Sequence, residues 1–350
     1  MALGIESRAW IWQKGGGSLD RASSDPVAWA FGPLGLPLSE PRSAIPKKFT
    51  PSAFTIEVTF MFERVLVAMD LSPATEALVS TLPGLREFGT REIILAHVAR
   101  PIREPVSNSL REIGELRERL NELAGRLGES DLKVTVEVPT GSPASELIKV
   151  ADSKDPDVIV VGSRSHTRIR EAFVGSVAWE LVRRSNRPVM LKRIQAGRND
   201  ADAALEARRQ GLPDRVVHPT DFSVTAQRAL PWLQALAARG VRTFTLLHVL
   251  PVEAKDGRNE AMAQLEKLAA EIDPTGNAEI SCKVRLGTPH EEILSEGGKS
   301  RHNMVVMGTH GRGVLPEIVM GSESRQVVRR ANATVLLVPT EVAKPPEPEV

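Results

Sequence analysis

The sequence predicts an α/β chain of two tandem, doubly wound parallel-sheet domains, and three observations predict it. Short β-branched apolar runs alternate with helical segments from Arg64 onward, the alternation that builds a mostly parallel sheet covered on both faces. That whole order then repeats: Asp70 recurs as Asp221, His97-Val98 as His248-Val249, Gly141-Ser142-Pro143 as Gly287-Thr288-Pro289, and Gly162 with Gly175-Ser176 as Gly308 with Gly321-Ser322. The offset is about 151 residues early and about 146 late, so the second copy is shorter in its middle. Finally, VVMGTHGRGVLPEIVMGSES, from Val305 to Ser324, carries a buried strand into a glycine-rich loop and a helix start, an anion-binding layout.

Each element has its own local reason. In the first copy Val65 to Met69 is a strand, and Ser72-Pro73 opens a helix, serine as cap and proline in the first turn. Ile93 to Val98 is the next strand. Leu110, Ile113, Leu116, Leu120, Leu123 and Leu127 recur at three and four, which makes 109–127 an amphipathic helix with a solvated charged face. Val134, Val136 and Val138 alternate as a strand, Gly141-Ser142-Pro143 starts another helix, and Val158 to Val161 is a short buried strand ending at Gly162. Pro188 to Leu191 closes the unit, as Thr334 to Val338 closes the second. Thr288 and Glu291 have the spacing of a capping box. The two closing strands are short apolar edges that would invite non-specific pairing if left bare, so they are expected to pair with each other about a pseudo-twofold axis.

The expected organisation is therefore an N-terminal extension over 1–60, a first domain over 61–195, a linker over 196–212, a second domain over 213–340 and a loose tail over 341–350. The extension has scattered prolines, a GGG run and no sustained periodicity, so it is read as disordered. It is an upstream addition before Met61 or a tail that docks through Trp10, Trp12 or Trp29.

Composition bounds the function. A chain of 350 residues with 41% hydrophobic and 25% charged side chains is an ordinary globular protein. A formal charge of +1 offers no bulk field for nucleic acid or a membrane surface, and neither is expected as a partner. The single cysteine, Cys282, excludes an internal disulfide framework and suits a cytoplasmic setting. Cys282 alternates with Val284 in a strand and reads as packing. His97 and His248 lack a second ligand at metal spacing, so no metal site is expected. No nucleophile, base and orienting group stand together, which argues against an enzyme.

The glycine spacing is the most informative motif: Gly308, two residues, Gly311, nine residues, Gly321, then Ser322. Glycine permits positive φ and close backbone approach to a ligand. Gly311-x-Gly313 is followed by Pro316 where a dinucleotide fingerprint needs its third glycine, and no GxxxxGK[ST] occurs. The spacing resembles the phosphate-binding signature of the ATP-binding universal stress proteins, and with the repeat the resemblance extends over about 61–340, as in two-domain members of that family.

That resemblance implies a five-stranded open sheet of flavodoxin-like appearance in each copy, and ATP, with or without Mg, as cofactor. It implies that Asp221, flanked by Pro219 and Thr220, holds the nucleoside, and that backbone groups at Val249 hold adenine. Gly308, Gly311, Gly321, Ser322 and Ser324 would wrap phosphate and ribose, with His310 and Arg312 able to meet phosphate oxygens. Asp221 has a plainer alternative as a helix cap shared with Ser223. The first copy keeps Asp70, Val98, Gly162, Gly175 and Ser176 but has Ser165 where the second glycine should stand, so its site is expected to be degenerate. The leading expectation is a stress-response regulator that binds an adenine nucleotide in the second copy, with unidentified protein partners and an internal pseudo-dimer open to further homodimerisation. The competing readings are a nucleotide-free scaffold and a nucleotide-using enzyme of a related α/β family.

Overall fold

The computed structural model describes residues 62–72, 75–100, 106–164, 175–194, 211–310 and 320–340. The extension over 1–60, most of the linker, the tail over 341–350, and Ser165, Gly311 and Arg312 lie outside the described residues. The first copy supplies β1 (Arg64–Ala68), β2 (Glu92–Ala96), β3 (Lys133–Glu137), β4 (Val158–Arg164) and β5 (Val189–Ile194). Its helices are α1 (Thr75–Val79), α2 (Val106–Gly128), α3 (Pro143–Lys154) and α4 (Ser176–Arg184). The second supplies β6 (Arg215–Pro219), β7 (Thr243–Leu250), β8 (Glu279–Leu286), β9 (Asn303–Gly308) and β10 (Thr334–Val338). Its helices are α5 (Val224–Gln227), α6 (Leu230–Ala238), α7 (Arg258–Ile272), α8 (Pro289–Ile293) and α9 (Ser322–Arg330).

The ten strands among the described residues form one sheet, in the order β3-β2-β1-β4-β5-β10-β9-β6-β7-β8. Within each copy the pairings are parallel, and the strand order changes direction between β1 and β4 and again between β6 and β9. The copies join by their closing strands, which run antiparallel with Leu191 opposite Val335, Met190 opposite Leu336 and Val189 opposite Leu337. Each copy's exposed apolar edge is thereby covered by the other. The outer edges, β3 and β8, are half-buried and carry Lys133, Glu137, Glu279, Lys283 and Arg285, charges that discourage further strand addition.

Side chains alternate between two cores, one on each face of the sheet. Val65, Val67, Ile93 and Leu95 enter one, while Leu66, Ala68, Ile94 and Ala96 enter the other. On the first face the copies share an aromatic cluster: the Phe62 ring lies 5.0 Å from Trp232 of α6 and 5.2 Å from Phe88.

Three local expectations are corrected. The strand expected to end at Gly162 runs on to Arg164, because Gly162, Ser163 and Arg164 stay paired with Lys192, Arg193 and Ile194 of β5. The strand expected over Ile93–Val98 stops at Ala96, whereas its counterpart β7 runs through Val249 to Leu250. The difference is Pro139, which has no N–H to continue the ladder, where β8 has Arg285 paired with Val249. The capping box at Thr288 does not form: that residue makes no side-chain cap bond, and the free His290 N–H donates instead to Glu323 Oε2 of α9 at 2.8 Å.

The antiparallel register makes a direct prediction. In a Cys282→Ser background, Val189→Cys with Leu337→Cys is expected to form a disulfide within one chain, read as monomer mass on a non-reducing gel with no free thiol. Crosslinking only between chains would contradict this pairing.

Candidate functional site

In an open parallel sheet, ligands meet the carboxyl ends of the strands where the order changes direction. In the second copy that point gathers the ends of β6, β7 and β9. Pro219 closes β6 opposite Leu247. Thr220 is buried, its N–H donates to Leu247 O at 2.9 Å, and its Oγ1 accepts from Phe222 N at 3.0 Å. A ring nitrogen facing a carbonyl must carry the proton, so His248 Nδ1 donates to Thr220 O at 2.7 Å. Asp221 Oδ1 accepts from Ser223 N at 3.0 Å, and Ser223 Oγ accepts from Ala226 N at 3.2 Å to cap α5. Phe222, between them, has φ 59, and its ring stacks on His248 at 4.6 Å.

Gly308 ends β9 beneath α5. A Cβ there would lie 3.0 Å from Thr225 Cγ2 and 3.2 Å from the Thr225 carbonyl oxygen, so glycine is what allows this approach. Gly321 donates to Thr309 O at 3.0 Å and precedes α9. Ser324 Oγ donates to Gly308 O at 3.0 Å, a buried bond that ties α9 to the strand end. Ser322 is exposed, and His310 Nδ1 lies 2.9 Å from Thr309 Oγ1 and 3.0 Å from Thr340 Oγ1. Strand pairing sets the ends carrying Asp221, Val249 and Gly308 side by side.

The first copy reproduces this turn. Ser72 N donates to Asp70 Oδ1 at 3.1 Å, His97 Nδ1 donates to Met69 O at 2.9 Å, and Leu71 has φ 49. Here the strand ends enclose a cavity of about 470 Å³ lined by Asp70, His97, Val98, Gly162, Gly175 and Ser176. Every first-site residue expected from sequence, apart from Ser165, borders that one space.

Sequence reasoning missed four residues. Leu71 and Phe222 occupy the left-handed region, unusual for bulky side chains; the signal was their shared place after an aspartate. Thr75 lines the first cavity where the second copy has Ala226. His218, where the first copy has Val67, is 1% exposed and donates from Nδ1 to Val306 O at 2.8 Å. Burial pushes its pKa down to about 4, against the pull of the Asp221 charge. Among the described residues no three His, Cys, Asp or Glu side chains gather as a metal site, and no helix is long and apolar enough to cross a membrane.

This geometry can be set beside known proteins. The sequence profile of the universal stress protein family matches twice, over 61–193 and 213–339. A universal stress protein of Mycolicibacterium smegmatis is 25% identical over 297 residues, covering 78% of this chain and 96% of its own. One from Methanocaldococcus jannaschii is 28% identical over 152 residues, 35% of this chain and 93% of its own. The crystal structure of a universal stress protein from Archaeoglobus fulgidus superposes with a TM-score of 0.62 at 25% identity, over 79% of this chain and 98% of that one. With two profile matches spanning most of its length, on a fold shared with a solved relative, the chain belongs to the universal stress protein family.

Proposed function

We infer that the chain is a cytoplasmic nucleotide-dependent regulator that binds one adenine nucleotide of the ATP class in its second copy. The observation that carries this reading is the strand-end constellation: a carboxylate turn at Asp221, braced from behind by His248, faces a glycine strand end at Gly308 and the start of α9. Asp221 accepts hydrogen bonds from ribose hydroxyls or the adenine amine, and the backbone at Val249 meets the base. The phosphates lie against Gly308, Gly311, Gly321 and Ser322, where glycine removes the Cβ barrier and the α9 N-terminus favours negative charge. His310 and Arg312 reach phosphate oxygens from the loop, while Ser324 holds α9 in place through its bond to Gly308 O. With its carbonyl fixed by His248, Thr220 positions the turn for Asp221. No residue in this set is arranged as a nucleophile with its base, so occupancy rather than turnover is the signal.

Titration calorimetry with ATP on the full chain is expected to show a single tight site. Gly311→Ser should abolish it, and Asp221→Ala should weaken it about tenfold or more, since losing a hydrogen bond to a charged group costs about 1.5–3 kcal/mol. Tight binding that survives Gly311→Ser would overturn this assignment.

A further inference from the structure

We propose that the cavity of the first copy binds an uncharged ligand of nucleoside size, and excludes the polyphosphate assigned to the second copy. This rests on the same reading of the strand ends as a nucleoside-recognising surface, and the two copies differ at three places that decide what each admits.

The first is the phosphate end. Ile194, 6% exposed, lies over Gly162: a Cβ on that glycine would fall 2.3 Å from Ile194 Cδ1. The space directly above this glycine, which lies within β4 where Gly308 ends β9, therefore holds a methyl group that can offer no hydrogen bond. Strand pairing aligns Gly162 with Lys192 in β5 and Gly308 with Val338 in β10. Two residues further on, the counterpart of Ile194 is Thr340, whose Oγ1 lies 3.0 Å from His310 Nδ1. At Gly308 the nearest atoms to such a Cβ are Thr225 Cγ2 at 3.0 Å and the carbonyl oxygens of His310 and Thr225 at 3.2 Å, so its cover stands further off and is partly polar.

The second is charge. Of the described side chains around the cavity, Asp70 and Glu112 are acidic and Arg100 alone is a permanent cation, so these groups carry no excess of positive charge to hold a polyanion. Leu78, Leu116, Leu147 and Val161 make the remainder apolar, and a volume of about 470 Å³ accepts a nucleoside with room to spare.

The third is Thr75. It borders the cavity at 7% exposure, and its buried Oγ1 has no hydrogen-bond partner. Buried hydroxyls are almost always satisfied, and an orphan is costly. The second copy avoids the problem with Ala226, a buried methyl. A hydroxyl retained at a cost the sister copy does not bear is explained by a ligand group that completes it.

The test uses the full chain with adenosine as probe, titrated calorimetrically while excess ATP is present. One adenosine site is expected. Thr75→Val should weaken it at least tenfold while leaving the thermal midpoint of the free protein unchanged or higher, because the deleted hydroxyl has no partner in the protein. Gly311→Ser should leave adenosine binding intact, and Ile194→Thr combined with Ser165→Gly, which copies the second site at both positions, should create a second ATP site. No adenosine binding, binding indifferent to Thr75→Val, or ATP filling both copies of the unmodified chain would overturn the proposal. A missing second-copy ATP site beside a Thr75-dependent adenosine site would sink the ATP assignment alone. A single ATP site with no adenosine site would sink only this inference.

Discussion

Trp232→Ala is expected to lower folding stability by about 4 kcal/mol, the upper part of the range for deleting a buried aromatic. Trp232 is 3% exposed on α6, and its neighbour Phe62 is 1% exposed just ahead of β1, so the indole fills a space walled by both copies. Little else can collapse into the void. The flanking rings meet edge-on, Phe62 at 80° to Trp232, and cannot close the gap without leaving their contact with each other. Because the cluster spans the copies, the loss should appear as one transition shifted to lower denaturant for the whole chain. A cost below about 1 kcal/mol, or the second copy unfolding separately while the first is unmoved, would show that the seam is held elsewhere.

Much of this fold was legible because its strands are buried on both faces. A run such as Val158 to Val161 has no polar alternation to confuse with an amphipathic helix, although the strand it starts runs on past Gly162 to Arg164. The pairing of the closing strands was also legible, since each is an apolar edge of matching length. Their register was not, because apolar residues at every position allow several alignments. Tertiary contacts overrode two local signals. Beside Thr288 the His290 N–H is taken by Glu323, 33 residues further along the chain than His290 and brought near by the packing of α9 on α8. At His97 the ladder is cut by Pro139, a break that a check for donor-less residues on the neighbouring strand would have found. The strand-end positions of the candidate site were legible in residues such as Asp70, Asp221 and Gly308, whose spacing is fixed by chain geometry. It was not legible in Ile194 and Thr75: their contrast with Thr340 and Ala226 is plain once the copies are aligned, but carries no meaning until the sheet sets Ile194 over Gly162 and turns Thr75 to the cavity.

His218→Val is expected to change the pH dependence of stability more than its value at any single pH. The histidine is neutral in the folded protein, with its pKa pushed down to about 4 by burial, while the unfolded chain protonates near 6.5. Between those values the unfolded state binds the extra proton, so this residue makes stability rise with pH, by about 3 kcal/mol across the window. Asp157 acts with the opposite sign. Burial raises its pKa from 3.8 to about 6 despite its bond from Arg64 N, so the folded state holds the proton longer and stability falls as pH rises from about 4 to 6. The two slopes overlap and largely cancel, so the unmodified protein should be nearly flat over that range in respect of these groups. Substituting His218 by the residue its counterpart position carries, Val67, exposes the Asp157 slope. The variant should lose stability at pH 7 through the lost bond to Val306 O, then regain it relative to the parent on acidification. The difference between the two proteins should shift in the variant's favour by about 3 kcal/mol from pH 7 to pH 4, as measured by urea denaturation at each pH. Because packing changes cancel in that comparison, a constant difference across the range would mean that His218 keeps its charge when buried, and the account of its burial would be wrong.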